Sequence, residues 1–340
     1  MPVQWRGNPR LQTNPKDNTT MRKLFYALAA VVTLTACNSK DYTITVTYDN
    51  ADDFNGKQLV LINYDGGDTI ATVTVEQGKA TFTGEMDGSM VARVLYPGGR
   101  QTFILEPAKI NIQVTDTATN VTGSALTQKM RQSDAEEVSA EAILENYKAN
   151  KDNAFGWWSL YQYLIGGNFA TAEIQAILDE APEAYRSSKR MTNLLKAAKN
   201  ADATAVGKPY ADFSVRSPQG MMVNLSDYLN PAAFTIVDFW ASWCGPCRKE
   251  TKVLKEILAK HEGRVEVLGV ACWDKPEDTQ AAIEQLQLPW PQIINAQYIA
   301  SDLYGFNSIP HIMVIAPDGT IVSRGLTGDA LKAKIDELVK

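Results

Sequence analysis

The sequence predicts an α/β domain at the C-terminal end of the chain, preceded by an all-β, sandwich-like module and a helical linking region. Three observations carry this prediction. Short runs alternate apolar and polar residues between Asp41 and Thr122, helix formers dominate from 123 to 204, and buried-type strands alternate with amphipathic helices from 205 to 340. The 340 residues leave room for about two domains of the usual ~150. A content of 45% hydrophobic and 21% charged residues excludes wholesale disorder. Lysine and arginine number 33 against 39 acidic residues, a net charge of −6 that argues against a nucleic-acid partner.

Residues 1–20 are polar, rich in Asn, Pro and Thr, and without period, and they are read as lying upstream of the true start at Met21. Residues 21–36 form a signal peptide: Arg22 and Lys23, an apolar run, then small residues. That run is shorter than the ~20 residues a membrane-spanning helix needs. Its end, Leu34-Thr35-Ala36-Cys37, resembles the lipobox of bacterial lipoproteins. The resemblance implies that Cys37 is lipidated on its sulfur and becomes the first mature residue; the alternative is an ordinary signal peptide with a chance cysteine. The expected location is the bacterial cell envelope, facing the periplasm, lipid-anchored to a membrane without spanning it. Disulfide chemistry is possible there.

In the β-rich module, 37–122, the runs Tyr42–Tyr48, Ile70–Val75 and Ile110–Val114 alternate. Asn55-Gly56, Asp65-Gly66-Gly67, Gln77-Gly78 and Pro97-Gly98-Gly99 punctuate them as turns. Six or more short strands at that spacing predict a small antiparallel sandwich or barrel, a scaffold or docking module with no catalytic constellation. It resembles, in rhythm, the β-rich module that precedes envelope thioredoxin domains in some lipoproteins. In the helical region, 123–204, Trp157, Trp158, Leu160, Tyr161, Leu164 and Ile165 fall at helical spacing. The paired tryptophans read as aromatic core, with ligand stacking as the alternative.

The region 205–340 carries the chemistry. Asp212–Val215 and Met222–Leu225 bracket a Pro-Gln-Gly turn and read as a hairpin. Phe234–Trp240 is a nearly continuous apolar strand of the fully buried type, running through Ala241-Ser242 into Trp243-Cys244-Gly245-Pro246-Cys247 and a helix to His261. Val265–Ala271, Pro276–Leu286, His311–Ile315, Ile321–Arg324 and Asp329–Val339 complete the order β-α-β-α-β-β-α.

This region resembles the thioredoxin superfamily, most closely its TlpA/ResA-like envelope branch, over nearly its whole length. The resemblance implies a thioredoxin fold and a thiol-disulfide oxidoreductase, with Cys244 as nucleophile and Cys247 as resolving cysteine. Trp243, Gly245, Pro246, Ile309 and Pro310 would form the substrate groove, with Pro310 as the family's cis-proline. Asp238 matches the family's buried acid, and Glu250 a second acid typical of the branch. Two positions depart from the pattern. Gly269 stands where thioredoxin carries a lysine beside its buried acid, and Lys252 stands where the helix commonly has a kinking proline.

The chemistry needs these residue types. Disulfide exchange requires a thiolate, and a free thiol of pKa ~8.5 is mostly protonated at neutral pH. A cysteine at a helix start faces unpaired N–H groups and the positive dipole end. Cys247, on the same side three residues later, can attack the mixed disulfide that Cys244 forms. Proline suits the first helical turn because it lacks an N–H that would go unpaired. Asp238, in an apolar strand, should favour its neutral form and can take the proton of Cys247; the alternative is an acid reaching solvent at the strand end.

No cofactor or metal is expected beyond the redox-active Cys244–Cys247 pair, since no second Cys-x-x-Cys or suitably spaced histidine completes a zinc site. Cys272 reads as a structural thiol and His311 as a strand histidine near the groove. Arg248, Lys249, Lys252 and Lys255 read as a solvated helix face. The partners expected are disulfide-containing envelope proteins and a membrane thiol electron donor. Two alternatives remain: a peroxiredoxin-like peroxide reductase and a non-catalytic surface-binding lipoprotein. A peroxiredoxin's attacking cysteine follows a Pro-x-x-x-Thr/Ser-x-x-Cys pattern, but Val237 and Ala241 precede Cys244, and Val265 and Gly269 precede Cys272.

Overall fold

The structure, a computed structural model, describes residues 40–135, 138–167 and 169–340. The signal segment and Cys37 lie outside the described residues. The chain divides into two compact units, the first holding the described residues up to Phe169 with Ile177–Met191, the second Ala170–Ala176 with Thr192–Lys340.

The first unit begins with β1 (Asp41–Tyr48), a short α1 (Ala51–Phe54), β2 (Gln58–Asn63), β3 (Thr69–Thr74) and β4 (Lys79–Glu85). β5 (Met90–Tyr96), β6 (Gly99–Leu105), β7 (Lys109–Val114) and β8 (Thr119–Thr122) follow. They form two four-stranded sheets, β4-β1-β7-β8 and β3-β2-β5-β6. Alternation along each strand sends one row inward, so Ile44, Leu59, Phe82, Phe103 and Ile112 meet in one core drawn from both sheets. The module is a sandwich, as its alternating strands predict, with one correction: β1 and β7 pair in parallel, because these neighbours are not joined by a hairpin.

Helices α2 (Ala125–Ala135), α3 (Ala140–Ala149) and α4 (Ala154–Gly166) follow in this unit. α5 (Thr171–Asp179), α6 (Glu183–Arg186) and α7 (Lys189–Ala203) complete the helical region. Trp157, Leu160 and Leu164 are buried, whereas Ile165 is 47% exposed although it shares their helical spacing. Trp157 stacks on Tyr161 at 5.4 Å and its indole N–H donates to Ser188 Oγ at 3.0 Å, so this ring belongs to the core.

The second unit opens with the hairpin β9 (Ser214–Arg216) and β10 (Met222–Asn224). Its main sheet comprises β11 (Phe234–Trp240), β12 (Val265–Ala271), β13 (Gln292–Ile293), β14 (His311–Ile315) and β15 (Ile321–Arg324). The order is β13-β12-β11-β14-β15, with β12 parallel to β11 and β14 antiparallel to it. α8 (Gly245–Lys260), α9 (Pro276–Leu286), α10 (Ile299–Tyr304) and α11 (Gly328–Leu338) complete this α/β thioredoxin fold. β13 and α10 escape the sequence reading because two and six residues are too few to show a period.

The sheet is buried on both faces. Ile236, Leu254, Ile257, Val267, Leu331 and Ile335 pack on the α8 and α11 side. Val237, Phe239, Leu268, Val270, Tyr304 and Met313 pack on the other. Full burial of each large apolar side chain contributes about 1.5–3 kcal/mol, which fixes β11 in the middle of the sheet. The loop leaving β11 is therefore held at its base by a strand whose residues 235–240 are all buried.

Candidate functional site

β11 delivers the chain to the carboxyl end of the central strand, where Ala241–Trp243 lead into α8. Cys244 is the N-cap of that helix, and Gly245 and Pro246 occupy its first turn. The Cys247 N–H donates to Cys244 Sγ at 3.2 Å, so one otherwise unpaired amide of the helix end points at the sulfur. Cys244 and Cys247 are joined as a disulfide with S–S 1.97 Å. Cys244 is 4% exposed and Cys247 is 0%. Trp243, Gly245 and Pro246 are exposed around Cys244, and a Cβ added at Gly245 would meet nothing within 4 Å.

Ile309 packs against the cluster formed by Trp240, Ala241, Cys244, Cys247 and Ala282. It precedes Pro310 through a cis peptide bond. The structure thus brings the Trp-Cys-Gly-Pro-Cys segment and the Ile309-Pro310 loop together at one end of the neighbouring central strands β11 and β14.

Asp238 is 2% exposed and lies in β11 between Ile236 and Trp240 in alternation, on the α8 side. Burial pushes its carboxyl up to about 7, and the nearby charge of Glu250 adds to the rise. Its Oδ1 has no hydrogen-bond partner. Glu250 accepts the Gly328 N–H at 3.0 Å, which places its carboxylate at the N-terminus of α11. It therefore serves the packing of two helices besides facing Asp238.

Cys272 belongs to the opposite face of the sheet, with Phe239 and Val270. Burial pushes its thiol up to about 12, with the Asp238 charge adding to the rise. His311 is half-buried, stacked on Phe306 at 4.6 Å, and its Nε2 faces Arg324 Nη2 at 3.3 Å. Burial and the Arg324 charge lower its pKa to about 4.

The cationic series along α8 is corrected in one respect: it is not a uniformly solvated face. Arg248 donates to Ser242 O at 3.3 Å and Gln285 Oε1 at 2.7 Å, and Lys255 donates to Leu286 O at 2.8 Å. Lys249 and Lys252 are exposed.

Three residues fasten the loop that sequence reasoning passed over. Asp274 receives the Ser242 N–H and hydroxyl at 2.6 and 3.0 Å. Trp243 Nε1 donates to Trp273 O at 3.1 Å, and Gln297 Nε2 donates to Asp274 O at 2.6 Å. Trp273 takes a left-handed φ of 56°, which turns the chain back toward this loop. Asp274 just before Lys275-Pro276 is a helix-start signal, but nothing in the sequence ties it to Ser242. Among the described residues, no group of three or more His, Cys, Asp or Glu is placed to hold a metal ion.

A disulfide-forming cysteine pair at a helix start, above a thioredoxin-type sheet, defines a thiol-disulfide oxidoreductase. Residues 206–324 match the AhpC/TSA family, and 42–130 match a domain of unknown function (DUF4369). HelX, a thiol:disulfide interchange protein of Rhodobacter capsulatus, is 31% identical over 145 residues, 41% of this chain and 81% of HelX. The chain belongs to this family of thiol:disulfide interchange proteins. ResA, a thiol-disulfide oxidoreductase of Bacillus thuringiensis, is 25% identical over 136 residues, 40% of this chain and 77% of ResA. The thioredoxin domain of a thiol-disulfide oxidoreductase from Bacteroides vulgatus aligns with TM-score 0.36 and 28% identity, covering 40% of this chain and 99% of that domain.

Proposed function

We propose that the chain is an envelope enzyme, lipid-anchored through Cys37, that reduces disulfides of other envelope proteins. The observation that carries the reading is the unequal access of the pair: Cys244 keeps 4% exposure between the exposed Trp243, Gly245 and Pro246, and Cys247 is fully buried behind it. In the reduced enzyme the Cys244 thiolate attacks a substrate disulfide; one substrate sulfur leaves as thiolate, and a mixed disulfide forms. Cys247 gives its proton to the Asp238 carboxylate and attacks Cys244 Sγ. The second substrate thiolate leaves, and two electrons have passed to the substrate. The Cys244–Cys247 disulfide is the state seen in the structure. A membrane thiol electron donor then restores the dithiol.

The direction follows from Gly245-Pro246. Strong oxidants stabilise their thiolate heavily, with pKa values near ~3.5. They commonly place a histidine between the cysteines, whereas Gly245 and Pro246 add neither a side-chain donor nor a charge. Redox titration of the pair against glutathione, with an insulin-reduction assay, tests the reading. A pair that stays reduced in mostly oxidised glutathione would mark an oxidant. Absence of insulin turnover would favour a non-catalytic binding lipoprotein.

The AhpC/TSA match favours a second reading, peroxide reduction. Against it stand Val237 and Ala241 ahead of Cys244, and the buried thiol of Cys272, pushed up to about 12. Peroxide consumption well below the rate of disulfide reduction is expected; the reverse ratio would select the peroxidase.

A further inference from the structure

Asp238, Gly269 and Gln292 form one row across three neighbouring strands: Asp238 pairs in register with Gly269, and Gly269 with Gln292. In-register parallel residues point to the same face, here the face of Trp240 and α8. Gly269 leaves that face bare, and the Gln292 carboxamide lies across it. A Cβ at 269 would come within 2.0 Å of Gln292 Oε1 and 2.6 Å of Nε2, so only glycine admits the amide there. Trp240 Nε1 donates to Gln292 Oε1 at 3.0 Å. An indole N–H only donates, so this contact fixes the amide with its oxygen toward Trp240 and leaves Nε2 as the free donor. Gln292 Nε2 is buried without a partner, and so is Asp238 Oδ1. An unpaired donor and an unpaired carboxyl oxygen thus flank the same glycine, on the same face.

Resting on the thiol-exchange reading above, we propose that Gln292 is a positioning residue of the proton relay, its Nε2–H group supporting the ionised form of Asp238 that accepts the Cys247 proton. The two atoms are not bonded to each other in the disulfide state; hydrogen bonding to the charged form favours that form, so an amide laid over Gly269 that closes on Oδ1 as it ionises supplies without charge what a cation there would supply with it. The other groups facing Asp238 do not offer this. From α8 come Cys247 and Glu250, and the Glu250 charge opposes ionisation. Cys272, from beyond β12, lies on the other face. β14 opposes Asp238 with Ile312, and α9 brings Ala282, Ile283 and Leu286 to the pair. α11 contributes the Gly328 N–H, already committed to Glu250.

The full chain, reduced and mixed with 5,5′-dithiobis(2-nitrobenzoate), reads both steps at once. The first coloured thiolate reports attack by Cys244, the second reports resolution by Cys247. In Gln292→Leu the pH midpoint of the second step should rise by about one unit, tenfold slower below it. Gly269→Ala, whose new Cβ displaces only the flexible end of Gln292, should show the same rise. Gln292→Lys should move the midpoint down. A ¹³C titration of the Asp238 carboxyl should follow the same order. Midpoints all within about 0.3 unit of wild type, or Leu and Lys variants moving in the same direction, would overturn the proposal. Loss of the first release in the unsubstituted protein would instead overturn the thiol-exchange reading.

Discussion

The carboxylate of Asp274 accepts two hydrogen bonds from Ser242, one from the backbone N–H at 2.6 Å and one from the hydroxyl at 3.0 Å. It also takes the Thr279 hydroxyl at 2.9 Å and the Lys275 N–H at 2.9 Å while only 7% exposed. The residue two places before Cys244 is therefore clamped to the start of α9. Truncation by Asp274→Ala leaves several of these donors unpaired near the protein interior, a cost of about 2–4 kcal/mol. Urea unfolding of the oxidised protein should show that loss. The attack rate of Cys244 should fall alongside it, because the loop that aims the sulfur loosens. An unchanged unfolding midpoint would show that the clamp is incidental.

The three described cysteines should differ sharply in reactivity once the pair is reduced. Cys244 has the only rim position, Cys247 is sealed beneath it, and Cys272 is buried with its thiol pushed up to about 12. At pH 7 the thiolate of Cys272 is then roughly 10⁻⁵ of the total, so it should alkylate only on unfolding. Mass spectrometry after brief iodoacetamide exposure should find Cys244 modified first. Cys244→Ser should abolish disulfide reduction, and Cys247→Ala should accumulate mixed disulfides. Equal labelling of all three cysteines would contradict the assignment of the nucleophile.

What the sequence displays depends on the length over which a pattern repeats. β11 and β12 are seven-residue apolar runs, and the observed bounds Phe234–Trp240 and Val265–Ala271 coincide with the runs as read. Cys244 and Cys247 are legible because their chemistry is written in contiguous residues. The parallel pairing of β1 with β7 is invisible, since alternation gives a strand its face but not its neighbour. Asp274 and Gln292 are invisible for the same reason: their partners, Ser242 and the Gly269 row, are distant in sequence and joined only by strand order. Ile165 shows the opposite failure, a residue in helical phase that the packing leaves exposed.

Asp238 should make the folded protein less stable as pH rises. Its folded pKa, about 7, lies above the unfolded value of ~3.9, so the folded state binds more protons between those limits. The stability present below pH ~4 is lost on the way to pH ~7 and then levels off. Asp238→Asn removes that loss, and relative to wild type it should gain on the order of 2–4 kcal/mol at pH 8 compared with pH 4. The same substitution should slow resolution of the mixed disulfide by about 10²-fold or more. Glu250→Gln removes the like charge and should lower the pH midpoint of that step. A wild-type resolution rate in Asp238→Asn across pH 6–9 would refute the relay.

Anchoring is testable apart from catalysis. Cys37→Ser should abolish labelling by a fatty-acid probe and shift the protein from the membrane to the soluble fraction. Labelling that persists would show that Leu34-Thr35-Ala36-Cys37 is not a lipidation signal.

His311 should act on stability in the opposite sense from Asp238 and in a different window. Arg324 approaches its Nε2 through Nε at 3.4 Å and Nη2 at 3.3 Å, and a guanidinium only donates, so Nε2 accepts and the ring is neutral with its proton on Nδ1. Arg324 is itself held by the carbonyls of Ala201, Thr204 and Tyr304 and cannot easily retreat from a second positive charge. The folded pKa of about 4 lies below the unfolded ~6.5, so between these values the unfolded state binds more protons. Stability contributed by the neutral ring is whole above pH ~6.5 and is lost as pH falls toward 4, by on the order of 1–3 kcal/mol. His311→Gln keeps an acceptor for Arg324 but cannot titrate. Subtracting its unfolding free energy from that of wild type cancels the carboxylates that titrate in the same range. The difference should be flat above pH ~6.5 and should turn against wild type below it. Parallel curves from pH ~6.5 to 4 would show that the ring is not held neutral. The same neutrality keeps the residue next to Pro310 uncharged through the range where Cys244 exchanges, so the attack rate of Cys244 should carry no His311 titration there.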